Sequence, residues 1–124
     1  MTINKEEGVY AGEFLISESD DGSISRDAVV IASGQGVVEA GSVLGRITAS
    51  GKLAKYDNAA TDGTQVAVAV LLSKVDATSA DANGVAVSRL AEVESNLLIY
   101  GLDQDAVSKT AAIADLKTQF IIAR

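Results

Sequence analysis

Cysteine, histidine, proline and tryptophan are all absent from the 124 residues. Without cysteine there are no disulfides and no thiolate metal sites. Without histidine the chain lacks the commonest general base and the commonest metal ligand. Without proline there is no rigid polyproline linker. Aromatic side chains are limited to Tyr10, Phe14, Tyr56, Tyr100 and Phe120. No apolar run approaches the roughly 20 residues that a membrane helix needs. Met1 to Glu7 shows neither a hydrophobic stretch nor a cleavage pattern, so the expectation is a chain without a signal peptide, made in a cytoplasm.

What is present is acid and small apolar residues. The formal net charge is −7, and residues 1–27 carry seven acidic side chains against Lys5 and Arg26. An acidic chain repels phosphate backbones and anionic bilayers, which weighs against nucleic-acid and membrane partners. Alanine and valine supply much of the apolar fraction, and β-branched residues favour strands. The length fits one domain able to bury about two-thirds of its unfolded surface.

Residues 1–12 are polar, acidic and broken by Gly8 and Gly12, which reads as a flexible N-terminal arm ahead of a domain over 13–124. Strands are expected at Phe14–Ile16, Ala28–Ala32, Val43–Thr48, Lys52–Tyr56, Val66–Leu72, Val85–Ala91 and Asn96–Tyr100. The segments on either side of Gly51 read as a hairpin. Asp57–Gly63 and Asp76–Gly84 read as polar loops. One helix is expected near the end, capped by Asp103 or Asp105, with Ala106, Ile113, Leu116 and Phe120 on one face. Ile121–Ala123 closes the chain as a strand. The fold class is therefore mainly β with one C-terminal helix.

Chemistry-bearing motifs are weak. Gly34-Gln35-Gly36 begins like a dinucleotide fingerprint, but Glu39 stands where the third glycine belongs, so a turn is the better reading. Asp20-Asp21-Gly22 and Asp81-Ala82-Asn83-Gly84 lack the ligand spacing of a calcium loop. Glu92 and Glu94 would share a strand face with no nucleophile or pocket beside them. Ser25, Ser33, Ser42 and Ser50 have no histidine base. Lys52 and Lys55 lack the flanks of a lipoyl or biotinyl carrier hairpin. Neither an enzyme nor a cofactor or metal protein is expected.

A set of ordered segments carries a resemblance. Gly12-Glu13-Phe14-Leu15-Ile16-Ser17 follows Tyr10, and Ala32-Ser33-Gly34-Gln35 and Glu39–Gly45 come next. Gly51-Lys52, Tyr56-Asp57, Ala59-Ala60 and Asp62-Gly63 lead to the apolar run ending at Leu72. Val75–Thr78, Arg89–Val93, Ala114–Leu116 and Ile121–Arg124 complete the series. Together these resemble the head decoration protein D family of bacteriophage lambda and related tailed phages. Two departures stand out: family arms often carry proline near Tyr10, and a tryptophan often stands near Leu98 to Gly101.

The resemblance implies a compact β-clip-like domain and a structural role. It implies homotrimers on the outer surface of the expanded virion head, stiffening the capsid against internal DNA pressure. The arm would pair with the major capsid protein, with Val9, Tyr10, Phe14 and Leu15 as the capsid-binding residues. The rival reading is a phage or bacterial surface module that recognises a glycan or a host protein.

Overall fold

The computed structural model describes residues 12–18, 24–101 and 105–124. Ten strands and one helix follow the chain: β1 Leu15–Glu18, β2 Arg26–Ile31, β3 Gly36–Val38, β4 Val43–Arg46, β5 Leu53–Lys55, β6 Ala67–Leu71, β7 Val75–Ala77, β8 Ala82–Val87, β9 Ala91–Val93, α1 Ala106–Thr118 and β10 Ile121–Ala123. Strands β2-β5-β4-β6-β8 close into a barrel, β1-β9-β10 form a three-stranded sheet, and β3 pairs with β7 as a ribbon. The mainly β class with a single late helix is what the composition led one to expect.

The run from Val66 to Leu72 is almost continuously apolar because β6 is buried on both faces. Ala69 and Leu71 point into the barrel with Ile31, Leu44, Leu53 and Ala86. Ala67 and Val70 point outward into a second core with Val43, Tyr56, Leu116 and Ile121. Strand β4 does the same, with Val43 on one side and Leu44 on the other. Double burial removes the polar alternation of a half-exposed strand. The hairpin about Gly51 is present, with Leu44↔Lys55 and Arg46↔Leu53 in register.

Helix α1 covers the second core. Asp105 caps it by accepting a hydrogen bond from the Ser108 amide at 2.7 Å. Ser108, Ala112 and Leu116 recur every four residues and are buried. Two bonds fix the helix to the barrel: Tyr56 Oη donates to the Ser108 carbonyl at 3.2 Å, and the Ala67 amide donates to Asp115 Oδ2 at 3.1 Å.

Four expectations are corrected. Phe120 does not lie on the helix face: α1 ends at Thr118, and Phe120 takes φ +60 and is 67% exposed. That left-handed residue reverses the chain so that β10 can pair with β9. Asn96–Tyr100 is not a strand; Ser95–Leu97 forms a 3₁₀ turn, and only Ile99 bridges to Ser42. The Asp76–Gly84 loop shrinks to Thr78–Asp81, because Val75–Ala77 pairs with β3 and β8 starts at Ala82. There polar side chains point to solvent while the backbone satisfies its hydrogen bonds in the sheet. Val85–Ala91 is two strands, broken at Leu90 with φ +52. Asp20-Asp21-Gly22, Asp103 and residues 1–11 lie outside the described residues, and Gly34-Gln35-Gly36 is a turn with Gly34 and Gly36 at positive φ.

Candidate interaction surface

The β1-β9-β10 sheet gathers the start and the end of the described chain. Strand β9 sits in the middle, antiparallel to β1 and parallel to β10. Among the described residues the outer edges of β1 and β10 therefore have no strand neighbour in the sheet. Unpaired strand edges are templates for added strands. Register skips between Leu15↔Val93 and Ser17↔Glu92, which places a bulge at Ile16 and turns this side chain out, 51% exposed.

The chain is fastened just before β1. The Gly12 amide donates to the Leu72 carbonyl at 3.0 Å, and the Leu15 amide donates back to the Gly12 carbonyl at 3.0 Å. Gly12 takes φ +71, which suits the tight turn. Phe14 is fully buried in the core with Val43, Val93 and Tyr100, and its carbonyl accepts from the Glu94 amide at 2.8 Å. Leu15 is half-buried and packs against the same core. Of the four expected contact residues, the structure brings Phe14 and Leu15 together at the base of the sheet, with the Phe14 ring inside the molecule. Val9 and Tyr10 lie outside the described residues.

Charge on this sheet is internally matched. Glu92 of β9 accepts from Ser17 Oγ at 2.7 Å and from the Arg124 guanidinium. Next to it, Glu18 of β1 pairs with Arg26 of the barrel strand β2 at 2.5 Å, and Asp27 of β2 pairs with Arg89, in the link before β9, at 2.5 Å. Glu94 is exposed beyond the strand, so the two carboxylates act separately. Among the described residues no group of three acidic side chains is placed to hold a metal ion.

Leu90 and Phe120 both occupy left-handed backbone, and both are exposed, at 43% and 67%. The Ala91 amide donates to the Phe120 carbonyl at 3.2 Å, and Ile121 lies opposite Ala91, so the two residues stand side by side at the heads of parallel strands. Bulky residues in this conformation cost on the order of 1–3 kcal/mol each and cluster at functional surfaces. No glycine or turn dipeptide marks either position, and the helical period runs straight through Phe120.

Carboxylates dominate the titration. Hydrogen bonds hold Asp27, Asp62, Asp76, Asp81, Glu92 and Asp105 below their ordinary values, led by Arg89 for Asp27, Thr64 for Asp62 and Ser17 for Glu92. A folded pKa below the unfolded one gives stability that is present above the unfolded values, 3.8 for Asp and 4.5 for Glu, and is lost as pH falls through the folded values. With no histidine, no side chain has an ordinary pKa between about 5 and 8. The melting temperature should be flat from pH 5 to 8 and fall below about pH 4. Calorimetry across that range checks it; a step between pH 6 and 7 would contradict it.

A comparison with curated proteins finds no match. The family model described as bacteriophage lambda head decoration protein D matches residues 4–121, nearly the whole chain. That family is structural, not enzymatic, and its place is the virion capsid. On that match, which runs through every strand but the last residues of β10, the chain belongs to the phage head decoration protein D family.

Proposed function

We propose that the protein is a capsid cement that binds the outer surface of the expanded head as trimers and stiffens it against internal DNA pressure. The observation that carries this reading is the family match over residues 4–121. Residues 1–12 act as the arm that joins the major capsid protein, and residues 13–124 as the domain. Val9, Tyr10 and Leu15 supply contacts, and the buried Phe14 roots the arm so that a pull on it is transmitted to the core.

The energetics suit this role. Ordering an arm costs roughly 1–2 kcal/mol per residue, and main-chain hydrogen bonds in strand addition offset it. Three arms in a trimer make the second and third contacts intramolecular. Glu6 and Glu7 favour a basic or neutral landing surface. The exposed Leu90–Phe120 pair gives the domain an apolar patch suited to protein contact.

A chain that begins at Gly12 should keep its melting temperature within a few degrees and lose binding to expanded heads. Undiminished binding would sink the arm model. In purified particles, quantitative mass spectrometry should find near-equal copies of this chain and the major capsid protein; a handful of copies would refute lattice-wide decoration.

A further inference from the structure

Seven glycines among the described residues take positive φ, and only two other residues join them, Leu90 and Phe120. Glycine adopts this backbone without a Cβ penalty, and asparagine tolerates it; a bulky apolar side chain does neither. The turns alone therefore do not account for a leucine and a phenylalanine at these two positions. Core packing does not account for them either. Neither side chain belongs to the two hydrophobic cores. Phe120 in particular leaves about two-thirds of its surface open. The two stand side by side at the heads of β9 and β10. A third exposed apolar residue borders them: Ile24, whose carbonyl accepts from the guanidinium of Arg89, the residue before Leu90. Strained bulk that the fold itself does not bury fits a surface that something else covers.

The charges around the patch say what that something is. Arg89 is paired with Asp27, Glu18 with Arg26, and Glu92 with Arg124, so the groups that flank the patch along β1, β9 and β10 cancel one another. Lys117, whose carbonyl accepts from the Phe120 amide, is exposed and forms no ion pair among the described residues. Copies of a chain with a net charge of −7 repel one another over most of their surface. That repulsion is least where the acids are already neutralised and a cation stands at the rim. The patch is thus suited to another copy of this chain, whereas a basic partner would be drawn to the acidic surface elsewhere.

Size sets the geometry. Two or three side chains fall far short of the roughly 800 Å² per partner that a stable face-to-face contact takes. On a rotation axis a residue meets its own copies, so three small patches close into one apolar cluster at the centre of a larger contact.

We infer that Leu90 and Phe120 face the three-fold axis of the trimer, where they pack against the same residues of the other two copies. This deepens the proposed function and rests on the trimer being the form that sits on the head.

The chain has no cysteine, so a single introduced thiol reports on its own surroundings. Heads saturated with Phe120→Cys and treated with a short bis-maleimide should yield covalent dimers of this chain. About two of every three copies should be linked, since a pair forms and the third sulfur is left over. Ser79→Cys, in the loop before β8 and so at the opposite end of that strand from Leu90, should give far less. Phe120→Asn, which suits left-handed backbone, should leave the melting temperature of the free protein within a few degrees, yet raise the concentration that half-saturates heads about tenfold. No linkage through Phe120→Cys, equal linkage through Ser79→Cys, or linkage to the major capsid protein would overturn the inference. So would a Phe120→Asn chain that melts far below the parent, because the ring would then serve the fold, or one that fills heads at the parent's concentration. Lysine cross-linking of the parent chain on the same heads scores the trimer separately. Trimers there without linkage through Phe120→Cys overturn only the placement at the axis, whereas heads that take up none of the parent chain refute the decoration reading itself.

Discussion

Phe14→Ala is expected to lower folding stability by about 3–5 kcal/mol. That is a large share of the roughly 5–15 kcal/mol available to a domain of this kind. Phe14 is 0% exposed and belongs to the larger of the two cores. Part of its cavity wall is main chain. A Cβ built on Gly41 would lie 3.6 Å from the Phe14 ring and 2.9 Å from the Leu97 carbonyl oxygen. Gly41 is itself held, donating its amide to Leu71 and accepting from Ile99. Backbone fixed in this way cannot collapse into the space a phenyl ring leaves, which puts the loss near the top of the range. Denaturant unfolding should show a lower midpoint with an unchanged slope. Phe14→Leu should lose markedly less. A cost under about 1 kcal/mol for Phe14→Ala would mean that the ring is not integral to the core, and its role as root of the arm would fall with it.

Much of the fold was legible because it rests on side-chain burial. The doubly buried β6, the hairpin across Gly51 and the cap at Asp105 each leave a local mark: an apolar run, a glycine between alternating segments, an aspartate three residues before a buried serine. The misses fall where backbone pairing decides. Strands β3 and β7 are three residues each and bury only their last side chains, Val38 and Ala77, with Val75 packed beside them, a pattern too short to read as a strand without their mutual hydrogen bonds. Ser95–Leu97 is apolar at one end yet curls, since Tyr100 Oη and the Leu98 amide both bond to the Ser95 carbonyl.

The interaction surface was legible to a different degree. Phe14-Leu15-Ile16 reads as a short apolar run and a first strand; Leu15 and Ile16 do fall in β1, while Phe14 is buried just before it. The sequence marks all three as apolar without telling which of them faces inward. The Leu90–Phe120 pair arises from the parallel pairing of β9 with β10, a long-range contact that no local residue pattern encodes.

Three glycine-to-alanine changes should separate conformational strain from collision, and Gly101→Ala should be the most damaging. At Gly34, with φ +88, a Cβ meets nothing within 4 Å, so only the left-handed backbone resists, at about 1–2 kcal/mol. At Gly45, inside β4, φ is ordinary but a Cβ would lie 2.5 Å from Thr64 Cα and 2.7 Å from its carbonyl oxygen. Backbone would have to move in the barrel wall, and overpacking of this kind costs about 3 kcal/mol or more. Gly101 combines both: φ is +77, and the Cβ would stand 1.7 Å from the Tyr56 carbonyl oxygen. Tyr56 cannot yield cheaply, because it is fully buried, its amide donates to Val43, and its hydroxyl holds the Ser108 carbonyl of α1. Displacing it loosens the helix from the barrel. At roughly 3–6 °C per kcal/mol for a domain of this size, Gly34→Ala should melt several degrees low and Gly101→Ala more than 15 °C low or not fold. Gly45→Ala should fall between them. Equal losses at Gly34 and Gly101 would show that the turn after Tyr100 can open without disturbing Tyr56, and the tight seating of α1 on the barrel would have to be given up.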